Sequence, residues 1–197
     1  ADNGGRSCLN ASGVWTPARG RELAQALAER LASMEAMPLD DPRAGLAAFP
    51  DPAQARRLSD HIDRLLNTPG AEDLTLKARG RSRLVEVDGC TFLLPTIIWC
   101  ADPEHPLAAA EYLFPFAAVV QTPQEGLLDR IGATLVATAI TEDPAFRREL
   151  ISCRRIDRLN LGPIPTSRVS WDQPHEGNLF EHLYRQRALQ ASGADAA

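Results

Sequence analysis

Lysine is almost absent from this chain. Lys77 is the only one, and every other basic residue is arginine. Chemistry that needs a pair of lysines, or a lysine cradling phosphates, is excluded unless Lys77 performs it alone. No glycine-rich phosphate loop occurs, so the chain does not hold a dinucleotide pyrophosphate in the usual way. An excess of basic charge is also missing. The net charge of −5 has the wrong sign for a general nucleic-acid binder, whose affinity comes from neutralising phosphates. No apolar run approaches the roughly 20 residues that span a bilayer. The longest, around residues 92–98 and 113–120, are strand-length and interrupted by prolines.

Cysteine is sparse and scattered, at Cys8, Cys90, Cys100 and Cys153. No two make a Cys-x-x-Cys pair, and no histidine joins them at metal-site spacing. Two disulfides are arithmetically possible. Without a secretory segment, a reducing, cytoplasmic setting is the expectation. The chain starts at Ala1 rather than Met, and its first residues read as the interior of a longer polypeptide. A fragment or a processed product is therefore expected.

What is present is enough for a core. With 197 residues, 44% of them hydrophobic, the chain suits one compact domain or slightly more. Residues 5–11 predict a tight turn opening a short helix. Leu23, Leu27 and Leu31 recur at helical spacing and predict an amphipathic helix over 19–34, with these leucines inward. Residues 38–52 are a proline-rich loop. Asp51 caps a second helix to about Asn67, with Leu58, Ile62, Leu65 and Leu66 inward. Strands follow at 84–87 and 92–99, joined by an Asp88-Gly89 hairpin turn. Further strands are predicted at 116–120, 135–140 and 156–161. Helices are predicted at 123–131, at 144–153 behind the N-cap Asp143, and at 177–190. The last seven residues read as a frayed tail. This alternation predicts an α/β domain with a mostly parallel sheet over residues 1–190.

Four segments are candidates for chemistry. In Gly5-Arg6-Ser7-Cys8, a thiol at a helix start would face unpaired N–H groups that stabilise a thiolate and an oxyanion. The plain alternative is a small packing residue. Glu111, just before the apolar strand, can hold the two hydroxyls of a ribose or simply lie exposed at a strand edge. Asn160 at a strand end can tie down a loop. Trp171 opens a polar loop that includes His175 and Glu176, and such loops line sites in α/β folds. His175 and Glu176 could serve Cys8 in a cysteine hydrolase, or His175 could cap the last helix.

Taken in order, these segments resemble the C-terminal catalytic portion of the NAD(P)-dependent aldehyde dehydrogenase superfamily. Gly5-Arg6-Ser7-Cys8 is similar to its glycine-to-cysteine motif, and Glu111-Tyr112-Leu113-Phe114-Pro115 to its Glu-x-Phe-Gly-Pro stretch. Residues 135–141 and 157–160 resemble its two following strands. The resemblance implies a three-layer α/β/α, Rossmann-like domain with Cys8 as nucleophile. It implies that Glu111 holds the nicotinamide ribose of NAD or NADP. Leu113 stands where a phenylalanine packs on the nicotinamide. Leu9 and Trp171 would contact an aldehyde substrate, and Asn160 would support the site. Arg6 departs from the usual glutamine, and the usual Phe-Gly-Gly run is missing from 167–177. The family's dinucleotide-binding domain, general-base glutamate and oxyanion asparagine precede the cysteine, so the resemblance implies a missing N-terminal partner domain and a homo-oligomer. Oxidation to a carboxylic acid, acyl transfer to coenzyme A, and a non-catalytic assembly or regulatory module all remain open at this level. The isolated chain is expected to be inactive and to bind NAD(P) weakly.

Overall fold

The computed structural model describes residues 2–172 and 188–192. The chain divides into two compact units, Ala1–Leu127 and Leu128–Ala197.

The first unit is built on a four-stranded sheet. Its strands are β1 (Gly13–Thr16), β2 (Ala71–Asp73), β5 (Thr96–Cys100) and β6 (Phe116–Gln121), in the order β1-β6-β5-β2. β1 and β5 both run parallel to β6, and only the short β2 pairs antiparallel. Both faces of this sheet are covered, which is why β5 and β6 read as continuous apolar runs rather than alternating ones. On one face Val14, Ile97, Trp99, Ala117 and Val119 meet α1 (Gly20–Ala32) and α3 (Leu74–Arg79). On the other face Trp15, Ile98, Cys100, Ala118 and Val120 meet α2 (Pro52–Leu66). Helix, sheet and helix thus form three layers in this unit, as the resemblance implies.

Local chemistry explains the element ends. Asp51 accepts from the Ala53 N–H at 2.9 Å, and Pro52 follows at the first helical position, so α2 starts there. Asp73 caps α3 through the Leu76 N–H at 2.8 Å. Neither β2 nor α3 was legible in the sequence, because three residues and six residues carry too little periodicity. The predicted 92–99 run divides into β4 (Cys90–Leu93) and β5, because Leu94-Pro95 cannot continue one ladder. β3 (Leu84–Val87) and β4 form the expected hairpin, with Asp88 and Gly89 at positive φ as a two-residue turn requires. In α1 the inward stripe differs from the prediction. Ala24 and Ala28 are fully buried, Leu27 and Leu31 flank them, and Leu23 is exposed. Small residues sit innermost because the helix lies close over the sheet and the leucines close its sides.

The proline-rich loop packs over the hairpin. Leu46 and Phe49 are buried, Leu46 against Phe92 and Leu94, and the Phe49 N–H donates to the Thr91 carbonyl at 2.8 Å. Beneath lies an ion-pair network. Arg83 is buried and donates to Asp73 at 2.8 Å, to Asp63 at 2.7 Å and to the Ser59 carbonyl at 3.2 Å. One guanidinium therefore joins the hairpin, α2 and the β2–α3 corner.

In the second unit β7 (Thr134–Ala139), β8 (Ile156–Leu161) and β9 (Ala188–Ala191) form a parallel sheet in that order. α4 (Leu127–Ile131) precedes β7, and α5 (Pro144–Ser152) joins β7 to β8. α4 is shorter than the predicted 123–131. Asp143 caps α5 by accepting from the Ala145 N–H at 2.9 Å, as expected. The predicted last helix, 177–190, is corrected at its end, where Ala188–Ala191 is a strand paired with β8; its residues 177–187 lie outside the described ones. In the predicted tail, Ala191 belongs to that strand and the Ser192 N–H donates to Leu161, while 193–197 lie outside the described residues. Among the described residues no helix is long and apolar enough to cross a membrane.

Candidate active site

The segment around Cys8 departs from the prediction. No helix starts at Cys8. A short 3-10 turn, Asp2–Gly5, comes first, with Asn3, Gly4 and Gly5 all at positive φ. A turn over Ser7–Asn10 follows, closed by the Asn10 N–H on the Ser7 carbonyl at 3.0 Å and by the Leu9 N–H on Ser7 Oγ at 3.2 Å. The clustered small residues favour turns as readily as a helix start, and the glycines decide it. Cys8 therefore does not face the unpaired N–H groups of a helix start. What remains is local. Cys8 is exposed, and its own N–H donates to no described group. Leu9 beside it is half-buried.

This turn is seated on the second candidate segment. A Cβ on Gly5 would stand 2.2 Å from the Pro115 nitrogen and 2.4 Å from the Phe114 carbonyl carbon. Only a glycine allows that approach. Arg6 fastens the contact from the side. Its Nη2 donates to the Ala48 carbonyl at 2.6 Å, its Nε to the Leu113 carbonyl at 3.4 Å, and its guanidinium lies 5.1 Å from the centre of the Phe49 ring. Sequence reasoning registered Arg6 only as a departure. Its bracing role left no signal, because the carbonyls it reaches are 42 and 107 positions away.

Residues 111–115 alternate in direction. Tyr112 is half-buried and Phe114 buried, and both pack with Phe116, Tyr112 edge-on to it at 4.7 Å. Burial holds the Tyr112 hydroxyl above the ordinary phenol range. Anchoring these two rings turns Glu111 and Leu113 outward, where Glu111 is exposed and Leu113 is 63% exposed. The fold thus presents a thiol, an unpaired N–H, a carboxylate and a bare apolar side chain on two segments packed together. The other thiols sit differently. Cys90 and Cys153 are half-buried, and burial pushes the Cys100 thiol up to about 12.

Asn160 and Trp171 lie in the second unit. Asn160 is fully buried in β8 and donates from Nδ2 to Thr138 Oγ1 at 3.1 Å; that hydroxyl in turn donates to the Ile164 carbonyl at 2.8 Å. Thr138, not Asn160, bonds the backbone of the loop after β8, and Asn160 holds that threonine hydroxyl in place. Trp171 is fully exposed in a turn. His175 and Glu176, the partners of the hydrolase alternative, lie outside the described residues. Among the described residues no cluster of three side chains could hold a metal ion.

The architecture matches solved structures. Lactaldehyde dehydrogenase from Escherichia coli superposes with a TM-score of 0.65 at 16% identity, over 81% of this chain and 33% of that one. Succinic semialdehyde dehydrogenase from Streptococcus pyogenes, solved with NADP+, gives 0.62 at 16% identity, over 85% of this chain and 36% of that one. An aldehyde dehydrogenase from Mycobacterium tuberculosis, complexed with NAD+, gives 0.58 at 19% identity, over 82% and 33%. The chain has the fold of one domain of an aldehyde dehydrogenase, a mostly parallel α/β domain, and it spans about a third of the length of these proteins. No family model and no curated protein matches its sequence.

Proposed function

We propose that this chain is the catalytic portion of an NAD(P)-dependent aldehyde dehydrogenase, with Cys8 as its nucleophile. The observation that carries the reading is the seating of the Cys8 turn on residues 111–115 through Gly5, because it joins the two segments the chemistry needs.

The Cys8 thiolate adds to the carbonyl carbon of an aldehyde, and the carbonyl oxygen becomes an oxyanion. The uncommitted Cys8 N–H is the donor this chain offers to that oxyanion. Collapse of the tetrahedral adduct expels hydride and leaves a thioester on Cys8. Bound NAD or NADP supplies the hydride acceptor. Exposed Glu111 suits it as a carboxylate for ribose hydroxyls, and exposed Leu113 offers an apolar surface for the ring. A pyrophosphate has no glycine-rich loop here, so its contacts belong to a dinucleotide-binding domain supplied from outside these 197 residues. Water then cleaves the thioester to the carboxylic acid and frees Cys8. Leu9, beside the nucleophile, contacts the aldehyde, Asn160 supports the loop after β8, and the complete enzyme is a homo-oligomer.

Exposure alone makes Cys8 reactive, so the test compares it with itself. Limiting iodoacetamide is applied to the folded chain and to the chain in urea, with mass mapping of all four thiols. The folded rate at Cys8 is expected to exceed its own unfolded rate. A folded rate equal to or below the unfolded one removes Cys8 as an activated nucleophile.

A further inference from the structure

Among the described residues two arginines are almost fully buried, and their surroundings differ. Arg83, 3% exposed, faces two carboxylates, Asp63 and Asp73. Arg158, 1% exposed on β8, faces no carboxylate among the described residues. Its Nη2 donates to the Thr166 carbonyl at 2.7 Å, while Nε and Nη1 are buried without a partner. A buried cation without a counter-charge is among the most costly arrangements in a protein interior.

The strand register shows what surrounds it. Residues two apart on a strand share a face, so Arg158 and Asn160 project together. Gln190 on β9 is directly opposite Asn160, and Thr138 on β7 is opposite it on the other side. Neighbours of this kind are about 5–7 Å apart, within the span of one small molecule. On this face the Gln190 Nε2 donor and the Asn160 Oδ1 acceptor are also buried without partners. The loop after β8 folds back over it, held by Arg158 at Thr166 and by Thr138 at Ile164.

We propose that this face of the β7–β8–β9 sheet, under the 162–166 loop, binds a small carboxylate. One carboxylate oxygen accepts from an idle guanidinium N–H of Arg158 and the other from the Gln190 amide, supplying the kind of charge that Arg83 receives from Asp63 and Asp73. A planar anion with two oxygens suits a guanidinium better than a spherical halide does. The site lies wholly within the second unit.

Acetate is the probe. The 197-residue chain is melted in sodium acetate and in sodium chloride at equal ionic strength and pH 7.5, and titrated with acetate by calorimetry. Acetate is expected to raise Tm saturably, as a ligand of the native state does, with one site per chain. Arg158→Gln abolishes the acetate-specific rise. Gln190→Leu keeps the cation but removes one donor to a charged group, and weakens acetate about tenfold. The proposal is overturned if acetate acts as chloride does, if the rise never saturates, or if Arg158→Gln retains it. Should Arg158→Gln fail to fold, unchanged acetate affinity in Gln190→Leu overturns it.

Discussion

Gly5→Ala is the sharpest probe of how the Cys8 turn is held. Two costs arise. The residue sits at φ +78°, in the left-handed region that an alanine occupies at a cost of roughly 1–2 kcal/mol. Its new Cβ would also stand 2.2 Å from the Pro115 nitrogen and 2.6 Å from Pro115 Cδ. Those neighbours are backbone and a proline ring, so the segment itself must shift. Overpacking of that kind costs typically 1–3 kcal/mol. The expected sum is roughly 2–5 kcal/mol. Gly80→Ala isolates the first cost. Gly80 ends α3 at φ +73°, and a Cβ there meets nothing within 4 Å. It should cost only about 1–2 kcal/mol, through backbone strain alone. Both glycines belong to the first unit, so one urea titration of each variant, followed by tryptophan fluorescence, compares them directly. Gly5→Ala should also slow iodoacetamide at Cys8 if the turn is lifted from its seat. Equal destabilisation by the two substitutions would refute the close packing of Gly5 on residues 114–115.

Other consequences follow from the same contacts. Asp73→Asn removes one carboxylate from buried Arg83 and should destabilise by about 3 kcal/mol, whereas Asp63→Asn, at a side chain 58% exposed, should cost about 1 kcal/mol or less; equal losses in denaturant titrations would contradict the burial difference. The Cys100 thiol is held up near 12, so its stabilising contribution is intact below the ordinary thiol range and is lost as pH rises from about 9 towards 12. Stability of the wild type should therefore fall relative to Cys100→Ala over that window, by up to about 1.4 kcal/mol per pH unit, and parallel pH profiles would exclude it. Asp143→Ala removes the cap of α5 and should cost about 1 kcal/mol in a thermal melt; an unchanged Tm would mean that the cap is dispensable.

The alternation of helices and buried strands, the hairpin turn, and the helix starts at Asp51 and Asp143 are all legible in the residues themselves. Each depends on a few adjacent residues: an acidic cap before proline, an Asp-Gly pair, or an apolar run bounded by breakers. The sequence also picked out the 5–8 and 111–115 segments. The rest came from contacts between segments far apart in the chain. Gly5 and Pro115 are distant in sequence, so nothing local could announce that one backbone rests on the other. Whether Leu23 or Ala24 faces the sheet depended on how closely α1 approaches it. Arg158 reads in the sequence as one more arginine; its isolation emerges only when β7, β8 and β9 come together and the following loop closes over their shared face.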